Sequence, residues 1–165
     1  MPSQTHDLTI LALDPATKCG WAITGGISGT WDCSIRRDES AGMRLIRLRS
    51  KLRAMLESKP IDLIVFESAR HAAPKMQGAL VVQATLQGLI LTFCEDHSIE
   101  YRGYSPTEIK KHATGKGNAG KPQMIEAAKF KWPYKCFTDD NEVDAAWLLD
   151  LAESEYAECV KEELL

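Results

Sequence analysis

Acidic side chains end two strongly apolar segments of this 165-residue chain. The segment LTILALD runs from residue 8 to Asp14, and the segment IDLIVFE runs from residue 61 to Glu67. A carboxylate at the edge of a hydrophobic core is poorly solvated, and its charge is costly unless a positive group lies nearby. Because the carboxyl ends of neighbouring parallel strands meet at one edge of a sheet, we expect Asp14 and Glu67 to lie side by side.

A third acidic group stands in the segment TDDNEVDAAWLLD, residues 138–150, which begins a predicted helix. Asp139 and Glu142 have the spacing of a capping box, with Asp139 as N-cap and Glu142 at the third helical position. That assignment leaves Asp140 and Asp144, which are four residues apart and therefore share one face of the helix. Apolar residues follow Asp144, so this face is predicted to become buried at once.

Four acids, Asp14, Glu67, Asp140 and Asp144, are thus candidates for one site. A site built from carboxylate oxygens suits Mg²⁺, with Mn²⁺ as a substitute. Two such ions about 3.5–4 Å apart can activate a water molecule and stabilise the leaving oxygen of a phosphodiester. In the alternative interpretation, Asp14 caps a turn before Pro15 and Glu67 pairs with Arg70.

Charge is strongly segregated behind a net charge of −3. Residues 36–53 carry seven basic and two acidic side chains, residues 109–138 carry seven lysines and one glutamate, and residues 139–165 carry ten acids and one lysine. Local field governs the binding of polyanions, so the basic segments favour a nucleic-acid partner. The alternative for each basic run is a solvated helix face or loop.

The loop KKHATGKGNAGK, residues 110–121, combines glycines with lysines. Glycine lets backbone N–H groups approach phosphates closely, and lysine supplies a point charge. The loop lacks the spacing of a Walker motif. We expect Lys121 to stabilise charge on a scissile phosphate. Trp132, Tyr134 and Phe137 follow among further lysines and could stack on bases, although core packing is the alternative use.

The order of predicted elements indicates an α/β fold with a mixed sheet. Strands are predicted over 8–14, 19–24, 27–35, 61–67 and 99–105, and helices over 43–56, 76–97, 106–113, 121–131 and about 141–160. A length of 165 residues predicts a single domain over residues 1–165. Five widely spaced cysteines without a CxxC pair predict reduced thiols and a cytoplasmic protein. No uninterrupted apolar run reaches the ~18 residues of a membrane span, so no membrane partner is expected.

The predicted helix over 76–97 is apolar around much of its circumference. One face must cover the sheet, and the simplest partner for the rest is a second copy of the chain. This predicts a two-fold homodimer. The alternative is a fully internal helix.

The order and spacing of these motifs resemble the RuvC-type Holliday junction resolvases, including relatives from phages. ILALDPATKCGWAI is similar to their first acidic strand, DLIVFES to the second, and DDNEVDAAWLL to their last acidic helix. The most specific match is YSPTEIKKHATGKGNAGKPQM, residues 104–124. The matches run in order over about residues 8–155.

The resemblance implies a ribonuclease H-like fold, a homodimer, and metal-dependent cutting of paired strands at a four-way DNA junction. Asp14, Glu67 and Asp144 match catalytic acids, and Lys110 and Lys121 match basic positions near the active site. With the neighbouring cations of the same segments, the predicted DNA contacts are Lys110, Lys111, Lys116, Lys121, Arg70 and Lys75.

Two positions depart from the family pattern. The family places its fourth acid three residues before the last one, where this chain has Asn141. We therefore assign Asp140 as the fourth ligand, with Glu142 and Asp139 as alternatives. The family also places an aromatic wedge after the second acid, whereas this chain has SARHAAPK, residues 68–75. Junction opening would then depend on Arg70, His71 or Lys75.

Other functions remain compatible with parts of this pattern. A nuclease of the same fold could act on other branched DNA or on RNA–DNA hybrids, and a junction-binding protein could lack catalysis. ATP-binding domains of the actin and sugar-kinase type also begin with an Asp and a Gly-containing turn. They require two such lobes, which 165 residues with one motif do not provide.

Overall fold

One five-stranded mixed sheet organises the computed structural model, which describes residues 8–69 and 77–163. The strand order is β3-β2-β1-β4-β5. β1, β2 and β3 pair antiparallel, and β4 and β5 extend the sheet in parallel from β1. In chain order the elements are β1 (Ile10–Asp14), β2 (Lys18–Ile23), β3 (Ile27–Asp32), α1 (Gly42–Ser58), β4 (Leu63–Glu67), α2 (Gln77–His97), β5 (Glu100–Tyr104), α3 (Pro106–Thr114), α4 (Lys121–Lys131) and α5 (Asp140–Glu163).

The alternation of side chains along β1 and β4 explains why both faces of the sheet are covered. Ile10 and Ala12 of β1 face a core built with α3, α4 and α5, whereas Leu11 and Leu13 face a core built with α1 and α2. Strands buried on both faces must be apolar at successive positions, which is the continuous pattern that the sequence shows here. The predicted α/β fold with a mixed, helix-flanked sheet is confirmed.

The first turn of α5 lies directly on β2. A Cβ atom added at Gly20 would overlap the carbonyl oxygen of Asn141, so only a glycine permits this approach. Gly20 is the β2 partner of Asp14 in the antiparallel register. The close packing therefore brings the start of α5 to the strand end that carries Asp14.

Helix α2 is the crossover between β4 and β5 and buries only one face. Leu86, Ile90 and Phe93 lie in the core. By length and composition Gly78–His97 could cross a membrane, and 22% of its most apolar window is buried. Val81 is 64% exposed, and Ala84, Thr85, Gly88 and Thr92 are exposed beside it. The helix is thus a core element of the domain with a second, unpaired face of small and apolar residues.

Strand and helix ends differ from the sequence-based bounds by a few residues. β3 ends at Asp32, not residue 35, because the Asp32 side chain accepts a hydrogen bond from the Ser34 amide at 2.9 Å and turns the chain there. α3 begins with Pro106 after an N-cap at Ser105, whose side chain and that of Glu108 form a capping box. It ends at Thr114, and the C-cap residue Gly115 has a φ of 77°, which is favourable for glycine.

Candidate active site at the carboxyl edge of the sheet

The ends of β1 and β4 place two acids next to each other. The two strands are parallel and Leu13 pairs with Phe66, so Asp14 and Glu67 follow at adjacent positions. Both side chains are partly buried, because each is the first polar residue after a run of buried apolar ones. The sequence-based expectation that these acids meet at one sheet edge agrees with this register.

Helix α5 adds two further acids to the same edge. Asp144 and Asp140 both interact electrostatically with Asp14, and Asp144 also interacts with Glu67. Asp144 follows the contact between Gly20 and Asn141 by one turn, so its side chain lies over the end of the sheet. The four acids predicted from the sequence are thus brought into one electrostatic cluster.

Burial and mutual repulsion disfavour ionisation of the two central aspartates. Burial, with the charges of Glu67 and Asp144, raises the pKa of Asp14 well above its usual range. Burial and the charge of Glu67 raise the pKa of Asp144 to about 7. The pKa of Glu67 is also raised by burial, against a hydrogen bond from Gln83 and the charge of Lys110. Carboxyl groups in such surroundings are stabilised when a cation arrives.

Two lysines supply the positive charge at the cluster. Lys121, the first residue of α4, forms an ion pair with Asp140 and remains 72% exposed. The hydrogen bond from Lys121 lowers the pKa of Asp140, which is the reverse of the shift at Asp144. Lys110 of α3 opposes the raised pKa of both Glu67 and Asp144. The structure therefore brings Lys110 and Lys121 to the four acids.

The remaining acids at the start of α5 have structural partners. Asp139 accepts a hydrogen bond from the Glu142 amide at 2.9 Å, as an N-cap does, and another from Thr30 at 2.7 Å. Glu142 is buried and accepts from Ser28 at 2.6 Å and from the Thr138 amide at 2.7 Å. These bonds fasten the helix start to β3. Asp139 is therefore the N-cap, as the capping-box prediction has it, but Glu142 accepts from the Thr138 amide and not from the Asp139 amide that a full capping box uses. Both acids are occupied as anchors.

Two glutamines of α2 support the end of β4, and the sequence analysis missed them. Gln83 donates to the Glu67 carboxylate, and Gln87 accepts from the Ala69 amide at 2.9 Å. They lie four residues apart and so share one helix face. The sequence signal for this role was the i,i+4 spacing of two polar glutamines within a mostly apolar helix segment.

Other predicted contact residues have different surroundings. Lys111 and Lys116 are exposed, and Lys116 lines a groove between α3 and α4. Arg70 and Lys75, predicted to contact DNA, and His71, proposed with them for junction opening, lie outside the described residues. Trp132 and Phe137 pack on the core, whereas Tyr134 is 99% exposed. Of the three candidate stacking aromatics, Tyr134 alone is left in solvent.

The donor chemistry of the cluster fits a divalent cation. When all four carboxylates are ionised, they exceed the two lysine ammonium groups by two negative charges, which a hard cation bound by oxygen ligands would offset. Among the residues that the structure describes, no three His, Cys, Asp or Glu side chains form a ready-made metal group. Like charges without a cation repel each other, so the carboxylates would have to draw together as the ion binds.

Comparison of sequences links the chain to bacterial crossover junction endodeoxyribonucleases. It is 29% identical over 123 residues to RuvC of Nitratidesulfovibrio vulgaris, covering 71% of this chain and 73% of that protein. It is also 29% identical over 126 residues to RuvC of Oleidesulfovibrio alaskensis, covering 73% of this chain and 75% of the relative. No family model matches the chain.

Comparison of structures gives the fold. Thermus thermophilus RuvC in complex with a Holliday junction substrate superposes with a TM-score of 0.69 at 16% identity, covering 91% of this chain and 94% of that one. The yeast mitochondrial Holliday junction resolvase superposes with a TM-score of 0.56 at 12% identity, over 96% and 86% of the two chains. The fold is therefore ribonuclease H-like, as in RuvC. In sequence and in fold, the chain is thus similar to the RuvC crossover junction endodeoxyribonucleases.

Proposed function

We propose that this protein is a metal-dependent endodeoxyribonuclease that resolves four-way DNA junctions by paired, symmetric nicks. The observation that carries the proposal is the cluster of four carboxylates and two lysines at the carboxyl edge of a ribonuclease H-like sheet. Curated relatives at 29% identity are named as crossover junction endodeoxyribonucleases, which supports the same substrate class.

We assign Asp14, Glu67, Asp140 and Asp144 as ligands of two Mg²⁺ ions, with Mn²⁺ as a substitute. When bound, such a pair activates water and stabilises the leaving oxygen of a phosphodiester. Asp14 and Glu67 hold their carboxylates on rigid strand ends, and Gln83 orients Glu67 by its hydrogen bond. Asp140 is the fourth ligand because Asp139 and Glu142 are committed to β3 and to the helix cap.

Lys121 acts at the reacting phosphate in this proposal. Its ammonium group is exposed and pairs with Asp140, so it can transfer to a phosphate oxygen when Asp140 turns to an ion. Lys110 is close enough to influence the pKa values of Glu67 and Asp144. It contacts the same DNA strand as Lys121, from the side of α3. Lys111 and Lys116 contact the DNA backbone beside the site. Arg70 and Lys75, which lie outside the residues that the structure describes, are assigned the same role.

The symmetric outcome requires two active sites, and we assign α2 as the dimer surface. Val81, Ala84, Thr85 and Gly88 form an exposed face of small and apolar side chains, which a second copy would bury. A single nuclease domain of this kind, paired about a two-fold axis, presents two equivalent sites to two equivalent strands. The relatives are bacterial, which supports a cytoplasmic location in a bacterial or phage-infected cell.

Cleavage of an end-labelled four-way junction tests the proposal, alongside linear duplex, a flap and an RNA–DNA hybrid. With Mg²⁺ or Mn²⁺ we expect paired nicks at symmetric positions in the junction and no cutting of linear duplex. The variants Asp14→Asn and Asp144→Asn should lose cutting by about 10³-fold or more and retain junction binding, since they remove charge but keep side-chain volume. Cutting by either variant at the wild-type rate would contradict the assignment.

A nuclease with a different branched substrate is the second candidate. The segment SARHAAPK, residues 68–75, contains no Phe or Tyr to act as a wedge, which favours this candidate because forced opening of a junction then has one fewer aromatic side chain to use. Preferential cutting of flaps or hybrids would keep the metal site and replace the substrate. Tight junction binding without cutting in the presence of any of these metals would indicate a junction-binding protein that lacks catalysis.

A further inference from the structure

A groove of about 720 Å³ opens between α3, α4 and α5. Its walls come from α3 and α4, and its floor is formed by Trp147 and Asp150 of α5. The predicted chemistry does not use this groove. Its lining combines one exposed aromatic ring, Phe130, with polar groups of α3 and α4.

The groove is contiguous with the candidate active site because the same three helices build both. On two of these helices a residue of the site and a residue of the groove lie on the same face, three or four positions apart. Three or four residues correspond to about 4.5–6 Å along a helix axis. The pairs are Lys110 and Thr114 on α3, and Asp144 and Trp147 on α5. A nucleotide next to one held at the acids would therefore reach the groove.

Phe130 gives the groove a stacking surface. Its side chain is 91% exposed, although α4 buries Met124 and Ala128 on its other face. Exposure of a phenyl ring to water is unfavourable in free energy. A flat aromatic ligand stacked on the ring would cover that apolar surface. Every nucleobase has a π-face suited to such a ring.

The polar groups of the groove match the edge of a base and a nearby phosphate. The side-chain oxygen of Gln123 accepts a hydrogen bond from the Gly120 amide at 2.7 Å. The side-chain nitrogen of Gln123 is therefore left as a donor. Two acids line the groove: the charge of Asp150 is offset by an ion pair with Lys131 at 2.7 Å, with the His112 ring also at 2.7 Å, and Glu126 is the second. Lys116 adds positive charge at the rim.

We propose that this groove binds one unstacked nucleobase adjoining the scissile phosphate, with the base packed on Phe130, and so contributes to base preference at the cut. The proposal rests on the proposed function. Turning a base out of the helix costs less where its pairing or stacking is already disturbed, as at an opened branch point. The ligand class is a nucleobase of the DNA substrate.

A pair of exposed aromatics provides a matched experiment. Phe130→Ala removes the groove ring, whereas Tyr134→Ala removes a ring that is 99% exposed and lies outside the groove lining. Neither ring supports the core, so both variants should fold. Four-way junctions carry 2-aminopurine at each position flanking the cut, and fluorescence is read on binding with Ca²⁺ in place of Mg²⁺. Cleavage rates are then compared across junctions that differ only in those flanking bases.

We expect a fluorescence change at one flanking position that Tyr134→Ala retains and Phe130→Ala loses. Removal of the stacking ring should also compress the spread of cleavage rates between flanking sequences by about tenfold, with the slowest sequence little changed. Equal fluorescence and an equal spread of rates in wild type and Phe130→Ala would overturn the inference while leaving the resolvase assignment intact. A wild-type protein that neither binds nor cuts junctions would instead overturn the proposed function.

Discussion

Single residues at the start of α5 show how one acidic segment divides into two roles. Asp139 and Glu142 each accept one hydrogen bond from a backbone amide at the helix start and one from a hydroxyl group of β3, so their charges are used within the fold. Asp140 and Asp144 face the ends of β1 and β4, where burial and neighbouring acids work against ionisation of Asp144. Spacing along the helix separates the two pairs, because residues one or two apart point in different directions.

The raised pKa of Asp144 predicts that the metal-free protein loses stability as the pH rises. Between the unfolded pKa of about 3.9 and the folded value of about 7, the unfolded chain has released this proton and the folded protein still holds it. The unfolded state therefore binds fewer protons, and folding becomes less favourable up to about pH 7, by at most about 4 kcal/mol from this group. Asp144→Asn should raise the thermal midpoint in EDTA at about pH 8 and change it little at about pH 4.

Asp140→Asn is the matched control for that measurement, because its shift has the opposite sign. The ion pair with Lys121 lowers the pKa of Asp140, so its stabilisation is present at neutral pH and is lost as the pH falls. The pair is partly exposed, and its removal should cost about 0–1 kcal/mol at about pH 8. A midpoint gain for Asp144→Asn that is the same at both pH values would contradict the burial argument.

Glu142→Ala tests whether this buried acid is an anchor or a ligand. Loss of its carboxylate leaves the Thr138 amide and the Ser28 hydroxyl without their acceptor, which should destabilise the protein by about 1–3 kcal/mol. Glu142→Gln keeps an acceptor oxygen and should cost less. Both variants should cut junctions below their melting temperature. Normal stability combined with lost cutting would assign Glu142, and not Asp140, as the fourth metal ligand.

At the scale of elements, the site depends on how closely α5 approaches β2. Gly20 pairs with Asp14 across the sheet and touches the Asn141 backbone on the helix. The distance between the strand acid and the helix acids is therefore fixed by a residue that carries no chemistry. Gln83 and Gln87 act similarly on the other side, since they hold the end of β4 from α2.

Gly20→Ala is expected to impair both stability and cutting. The added methyl group would overlap the Asn141 carbonyl, which is backbone and cannot rotate away, so α5 must shift outward. Overpacking of this kind costs about 1–3 kcal/mol. Gly42→Ala, where the nearest atom to an added Cβ is 3.8 Å away, is the control and should behave as wild type. Thermal melts and junction cleavage measure the two effects, and wild-type cutting by Gly20→Ala would exclude this dependence.

At the scale of the whole molecule, the exposed face of α2 predicts the assembly. Val81→Asp places a charge where two copies of α2 would meet, and it should convert the dimer to a monomer and abolish paired nicks. Ile27→Asp is the matched control, because Ile27 of β3 is 62% exposed and Val81 is 64% exposed. Light scattering and cleavage on one junction measure both properties. A dimer that survives Val81→Asp would move the interface elsewhere.

The sequence by itself determined the order of the elements, the mixed sheet and the choice of Asp14 and Glu67 as strand-end acids. The periodicity of apolar residues and the position of a strand end are local properties, which can be read along the chain. It also indicated the pairing of Asp139 with Glu142 through capping spacing. The tertiary structure decided which of the acids are occupied by β3, since Ser28 and Thr30 lie more than a hundred residues away in the chain. It also decided that Trp132 and Phe137 pack inward while Phe130 and Tyr134 remain in solvent. Long-range packing sets those contacts, and no local pattern encodes the partner that a side chain meets.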